Sequence, residues 1–187
     1  MIGFVALALP ALVSAVAVFL LSFVLHMLLP WHRSDYGRVP REDELMDAVR
    51  PLAIPQGDYL VPRPTGPQEM RSPEFKAKLE RGPVMVLTVW PNGSTSMARN
   101  LVSWFLFSFV ISFIAGHIAD RVLGVNPDRY LVLHTVGLAT FLGYVGGLWQ
   151  MSIWYRRKWS TTIKATVDGA IYAAVTGFIF CSMWPSA

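Results

Sequence analysis

The sequence is short of charge, of cysteine and of any catalytic signature, and each shortage excludes something. Only 15% of its 187 residues are Asp, Glu, Lys or Arg, against 53% hydrophobic ones, whereas a soluble domain carries roughly 25% charged residues. An ordinary water-soluble globule is the wrong class, and a multi-spanning helical membrane protein is the natural one. The single cysteine, Cys181, cannot close an internal disulfide and reads as a small hydrophobic side chain in an apolar run. No nucleotide-binding glycine loop, HExxH helix, CxxC pair or GxSxG elbow occurs. Nothing therefore nominates a nucleophile, and an enzyme is not the expected class.

What charge there is sits in informative places. Between Pro30 and Ala98 nine Lys and Arg are balanced by nine Asp and Glu, so the formal net charge of +4 arises outside this segment. The excess lies at Arg99, Arg121, Arg129, Arg156, Arg157, Lys158 and Lys164, against Asp120, Asp128 and Asp168. These residues flank or interrupt apolar runs, where basic side chains set membrane orientation and meet lipid headgroups. The lipid bilayer is thus the expected partner of Arg156, Arg157, Lys158 and Lys164, and nucleic acid is not.

Four apolar runs predict four spans, each long enough for the roughly 20 residues that cross a bilayer core. Ile2 to Leu29 has no Asp, Glu, Lys or Arg, lacks the basic start of a cleavable leader, and reads as a retained first span (1–29). Leu101 to Leu123 is the second, Gly124 to Arg129 a tight turn, and Tyr130 to Tyr155 the third. The fourth is placed at Ile163 to Met183, with Ser160 or Thr161 as its cap. The expected fold is therefore an all-α four-helix membrane bundle, with residues 99–187 supplying three of its helices. Residues 30–98 are expected to form a small mixed, loop-rich cap. Within it, Arg41 to Arg50 predicts a short helix, and Ser72, Pro73 and Glu74 start a second that Gly82 ends. Val84 to Trp90 predicts a strand, with Tyr59 to Val61 as its partner.

Basic residues cluster near the helix ends that bear the 30–98 segment and the loop between the third and fourth spans. The positive-inside rule makes those loops cytoplasmic and puts both termini outside.

Charged or imidazole groups inside a span are costly, and are functional candidates by default. His26 lies about a turn inside the first span and Asp168 about a turn inside the fourth, at the same face, so the two are expected to approach one another. Lys164 and Arg99 compete for Asp168. At the other face His117, Asp120 and His134 form a second candidate layer, whose histidines have the spacing for haem or metal ligation. His32 reads as an interfacial residue. Small residues recur every four positions at Ser108, Ser112 and Gly116, at Ala139, Gly143 and Gly147, and at Gly169, Ala173 and Gly177. Such ridges allow close helix packing in lipid.

Two stretches, HMLLPWHRSDYGRVP (His26 to Pro40) and WSTTIKATVDGAIYAAVTG (Trp159 to Gly177), with GPVMVLTVWPNG between them, resemble those of a group of small, uncharacterised bacterial inner-membrane proteins. The resemblance spans nearly the whole chain. It implies the bacterial inner membrane and carries no activity and no functional residues.

These readings converge on a non-catalytic accessory or structural subunit of a larger membrane complex, such as a respiratory or photosynthetic one. Other membrane subunits are its expected partners and no cofactor is required. The alternative is a small transporter, or a haem-, quinone- or lipid-binding membrane protein that uses Asp168 and the histidines.

Overall fold

The structure, a computed structural model, describes residues 3–93, 96–124 and 126–185. Ile2, the expected start of the first span, and Val125, within the expected turn, lie outside them. Two compact units emerge: Met1–Gly37 with Ser96–Ala187, and Arg38–Thr95.

The larger unit holds the four expected long helices, each long and apolar enough to cross a membrane: Val5–Leu28, Met97–Leu123, Arg129–Ile153 and Trp159–Met183. In the first, α1 (Phe4–Phe23) runs through Pro10 and then widens into a π-helical turn, Val24–Leu28, closed by the Leu29 N–H donating to the Val24 carbonyl at 3.0 Å. Leu29 is extended, as a residue before proline prefers, and Pro30–His32 form a single 3₁₀ turn.

In the smaller unit, α2 (Glu42–Val49), α3 (Pro67–Arg71) and α4 (Pro73–Arg81) accompany a two-stranded antiparallel sheet. Strand β1 (Gly57–Val61) pairs with β2 (Met85–Val89), Tyr59 opposite Leu87. The Ser72 hydroxyl accepts the Phe75 N–H and caps α4, and Gly82 ends the helix at φ 60°, a left-handed value that suits glycine.

The second span, α5 (Met97–Leu123), begins four residues before the expected Leu101 because the Ser96 hydroxyl caps it. The third span is interrupted. Helix α6 (Arg129–Val145) stops at Gly146 and Gly147, and a short α7 (Leu148–Ile153) follows. The fourth, α8 (Trp159–Met183), starts a turn earlier than expected and is not capped by Ser160 or Thr161. Its first turn is built on the Lys158 carbonyl, which accepts the N–H groups of Thr161 and Thr162 at 3.1 and 3.4 Å. Thr162 is buried, with its hydroxyl 2.7 Å from that of Ser152.

The small-residue ridges are largely consumed by packing inside the bundle. A Cβ on Gly177 would stand 2.7 Å from the Leu133 carbonyl oxygen, so α8 and α6 meet backbone to backbone there. Gly169 leaves room for Val145, Gly143 for Ile111 and Gly116 for the Phe180 ring. Ser108, Ser112 and Ala173 are buried, whereas Gly147 faces open space.

Two apolar clusters make up the bundle interior. Leu7, Ala11, Ala115, Ala119, Val132, Val136 and Phe180 form one; Val18, Tyr144, Val145 and Tyr172 form the other. Leu9, Leu20, Val110, Ile114, Leu138, Leu142 and Phe178 point outward. That pattern, apolar both inside and out, suits helices whose solvent is hydrocarbon.

Candidate functional site

The Pro30–His32 turn folds the chain back beneath α1, so that the His32 ring stacks on that of His26, with centroids 4.0 Å apart and planes within 19°. The π turn carries His26 to this position; such turns insert one residue and recur at functional sites. Across the bundle, α8 presents Asp168, whose side chain is only 4% exposed. Gly169 permits this by letting α8 close on Val145.

The His32 Nε2 lies 2.8 Å from Asp168 Oδ2, and the His26 Nε2 lies 3.9 Å from the same oxygen. On the other side of its ring, His32 Nδ1 is hydrogen-bonded to Asp35 Oδ2 at 2.7 Å. Asp35 Oδ1 accepts a bond from Lys164 Nζ at 3.0 Å, and Lys164 also donates to the Ser34 hydroxyl at 2.8 Å. Four ionisable groups thus form one chain, Lys164–Asp35–His32–Asp168. It starts on α8 one helical turn before Asp168, leaves through the Pro30–Asp35 segment and returns to α8.

Protonation states follow from this order. Burial pushes the Asp35 carboxyl up more than any other single influence, but the hydrogen bonds from His32 and Lys164, with their charge, together outweigh it and hold the carboxyl below its usual range. Asp35 is therefore a carboxylate, an acceptor only, and the proton in its bond to His32 belongs to Nδ1. At Nε2 the situation differs. A neutral imidazole with Nδ1–H offers a lone pair there, and a lone pair cannot face a carboxylate at 2.8 Å. A proton between the two would relieve this, with His32 an imidazolium beside a carboxylate or Asp168 a carboxylic acid beside a neutral ring. In the structure the N–H direction is off the line to Asp168, so among the described residues neither Asp168 oxygen meets a directed hydrogen-bond donor, and a shared proton requires the His32 ring to turn.

Among the described residues, His26, His32 and Asp168 are the group whose metal-ligand atoms come within 4.8 Å of one another. Imidazole lone pairs lie in the ring plane, and in a near-parallel stack they run side by side instead of converging. A metal ion bridging both rings requires the stack to open.

The other expected residues are placed differently. His117, Asp120 and His134 do not gather to ligand distance among the described residues. Asp120 is buried and His117 partly so. His134 is exposed, with its Nδ1 2.9 Å from the Tyr130 carbonyl oxygen and its ring against that of Tyr130. Arg156, Arg157 and Lys158 line an open basic hollow with Trp159. Lys164, expected at lipid headgroups, is turned to Asp35 and Ser34, with a side chain 15% exposed. His32, expected as an interfacial residue, instead joins Asp168, and Asp35 joins it there. Their i,i+3 spacing after Pro30 is the signal that marks them.

Comparison of the chain with protein-family models, with curated proteins and with solved structures found no match.

Proposed function

We propose that this is a small multi-pass membrane protein that takes up and releases protons at one membrane face through the Lys164–Asp35–His32–Asp168 chain. The observation that carries the reading is the 2.8 Å approach of His32 Nε2 to the buried Asp168 carboxylate, with the far side of the same ring fixed by Asp35. An ionisable pair inside a span is expensive to keep, and a chain of acids and imidazoles leading to it is how membrane proteins pass protons. The carboxylate behind the histidine fixes its tautomer and ring orientation, as oriented catalytic and metal-ligating histidines require. On the charge asymmetry of the helix ends, this face is the cytoplasmic one, and the bacterial inner membrane is the matching location.

A pH jump on the purified protein, followed with an indicator dye, tests the proposal. The wild type is expected to exchange one more proton per chain than Asp168→Asn; equal stoichiometry in the two proteins contradicts it.

The accessory-subunit reading stands second. It is favoured by a groove of about 390 Å³ on the outer face of α6 and α8, lined by Gly137, Ala170, Ala173 and Ala174 between Leu138 and Phe178, where a neighbouring subunit's helix would lie close. Co-purification of a membrane subunit that Ala174→Trp dislodges is its test.

A further inference from the structure

On every one of the four long helices, a buried hydroxyl separates the two apolar clusters. Along α1, Ser14 stands between Ala11 of one cluster and Val18 of the other. On α5, Ser112 lies between Ala115 and Ile111, which packs against the second cluster. On α6, Thr140 lies between Val136 and Tyr144; on α8, Thr176 lies between Phe180 and Tyr172. All four side chains are fully buried, and none of their oxygens has a hydrogen-bond partner among the described residues. This is costly. A buried hydroxyl without a partner loses its hydrogen bonds to water and gains none in return, a loss that alanine or valine would not incur.

The layer is connected to the site below it. On α8, Asp168, Tyr172 and Thr176 succeed each other at i,i+4 on one buried face, as do Ser108 and Ser112 on α5 and Thr140 and Tyr144 on α6. The Tyr144 and Tyr172 rings meet edge to face with centroids 5.4 Å apart, and both hydroxyls are buried, that of Tyr144 beside the Ser108 side chain. Beyond the layer, the Phe180 ring fills the space at Gly116, and Asp120 continues the α5 face one turn further on.

We propose that Tyr172, Tyr144 and the hydroxyl layer of Ser14, Ser112, Thr140 and Thr176 form the inner part of a transmembrane proton path, which leads from Asp168 to the Phe180–Gly116 contact. The proposal rests on the proton-exchange reading of Asp168. Each hydroxyl can accept a proton on its oxygen and pass on the one it holds, so a chain of them transfers charge without net chemistry. Hydroxyls that bond to no protein group are free to rotate between successive partners, including water. The groups facing Asp168 are His26 and His32 from the segment after α1 and Tyr172 from α8 itself, with Asp35 and Lys164 behind His32 and Tyr144 of α6 behind Tyr172.

The test is proton flux into vesicles of neutral phospholipid holding the full-length protein, driven by a potassium diffusion potential and read with a pH-sensitive dye. Wild type is expected to conduct and Asp168→Asn to lose the flux. The Thr140→Val, Thr176→Val double variant, isosteric and able only to lose hydroxyls, should fall roughly tenfold, the factor that one ordinary hydrogen bond represents. Infrared difference spectra should meanwhile show its Asp168 carboxyl still exchanging protons. Ser112→Ala is the second variant, for use if the double variant unfolds. Flux that depends on Asp168 but is unchanged in the valine and Ser112→Ala variants overturns the path and leaves the site intact. A wild type that does not conduct overturns the path as well, while a carboxyl signal absent from wild type overturns the reading of the site.

Discussion

His32 and Asp168 are 136 positions apart in the chain, and their side chains meet at 2.8 Å. The contact ties the 3₁₀ turn after α1 to the interior of α8, and it does so with two groups that apolar surroundings penalise unless they share a proton or a charge. Asp35 and Lys164 complete the arrangement from the surface side, so the pair is held in place and not merely adjacent.

Lys164 and Asp35 form the clamp on this pair, with side chains 15% and 11% exposed. Lys164→Met should lower stability by about 1.5–3 kcal/mol, the range for hydrogen bonds to charged groups. Because the cost is mostly that of leaving Asp35 Oδ1 without its ammonium partner, Lys164→Met with Asp35→Asn should cost less than the two single changes added together. Thermal unfolding in detergent across the double-mutant cycle measures this.

The same carboxyl sets a pH dependence. Its value in the folded chain lies below that of the unfolded chain, so the stability it contributes is fully present above the unfolded value, about 3.9. That contribution is lost as the pH falls through the lower folded value. The stability gap between wild type and Asp35→Asn should therefore narrow as the pH falls below about 4. Melting curves at a series of pH values check the sign; a gap that widens on acidification contradicts it.

Gly177 and Gly147 should answer differently to the same substitution. Gly177→Ala drives a Cβ onto the Leu133 carbonyl oxygen, which neither backbone can evade without parting α6 from α8, and should cost about 1–3 kcal/mol. Gly147→Ala meets nothing within 4 Å at an ordinary negative φ of −89°, so it should be neutral or stabilising by up to about 1 kcal/mol. Melting temperatures of the two variants side by side are the measurement.

Much of this architecture can be read from the amino acids, and the parts that cannot have identifiable causes. The four long helices follow from long apolar runs, and the β1–β2 pairing and the Ser72 cap follow from local chemistry. Asp168 stands out because a carboxylate in a span is rare, and counting turns from the helix ends brings it near His26, which the structure places at 3.9 Å. His32 escapes that counting. Its position depends on a π turn and on a 3₁₀ turn after Pro30, and a regular 3.6-residue period carries neither. The start of α8 carries no side-chain signature, because no side chain caps it and its first turn rests on the Lys158 carbonyl. The hydroxyl layer is hidden for another reason: Ser14, Ser112, Thr140 and Thr176 are unremarkable singly, and only the packing of four helices brings them between the same two clusters.

The central claim is that His32 and Asp168 share a proton that the site exchanges with its surroundings. Infrared difference spectroscopy between about pH 5 and pH 8, the range in which imidazole changes charge, tests it most directly. The account predicts a protonated-carboxyl band that changes between the two pH values in wild type, disappears in Asp168→Asn and is altered in His32→Gln. A band that persists unchanged in Asp168→Asn, or a wild-type spectrum with no carboxyl change, would contradict it.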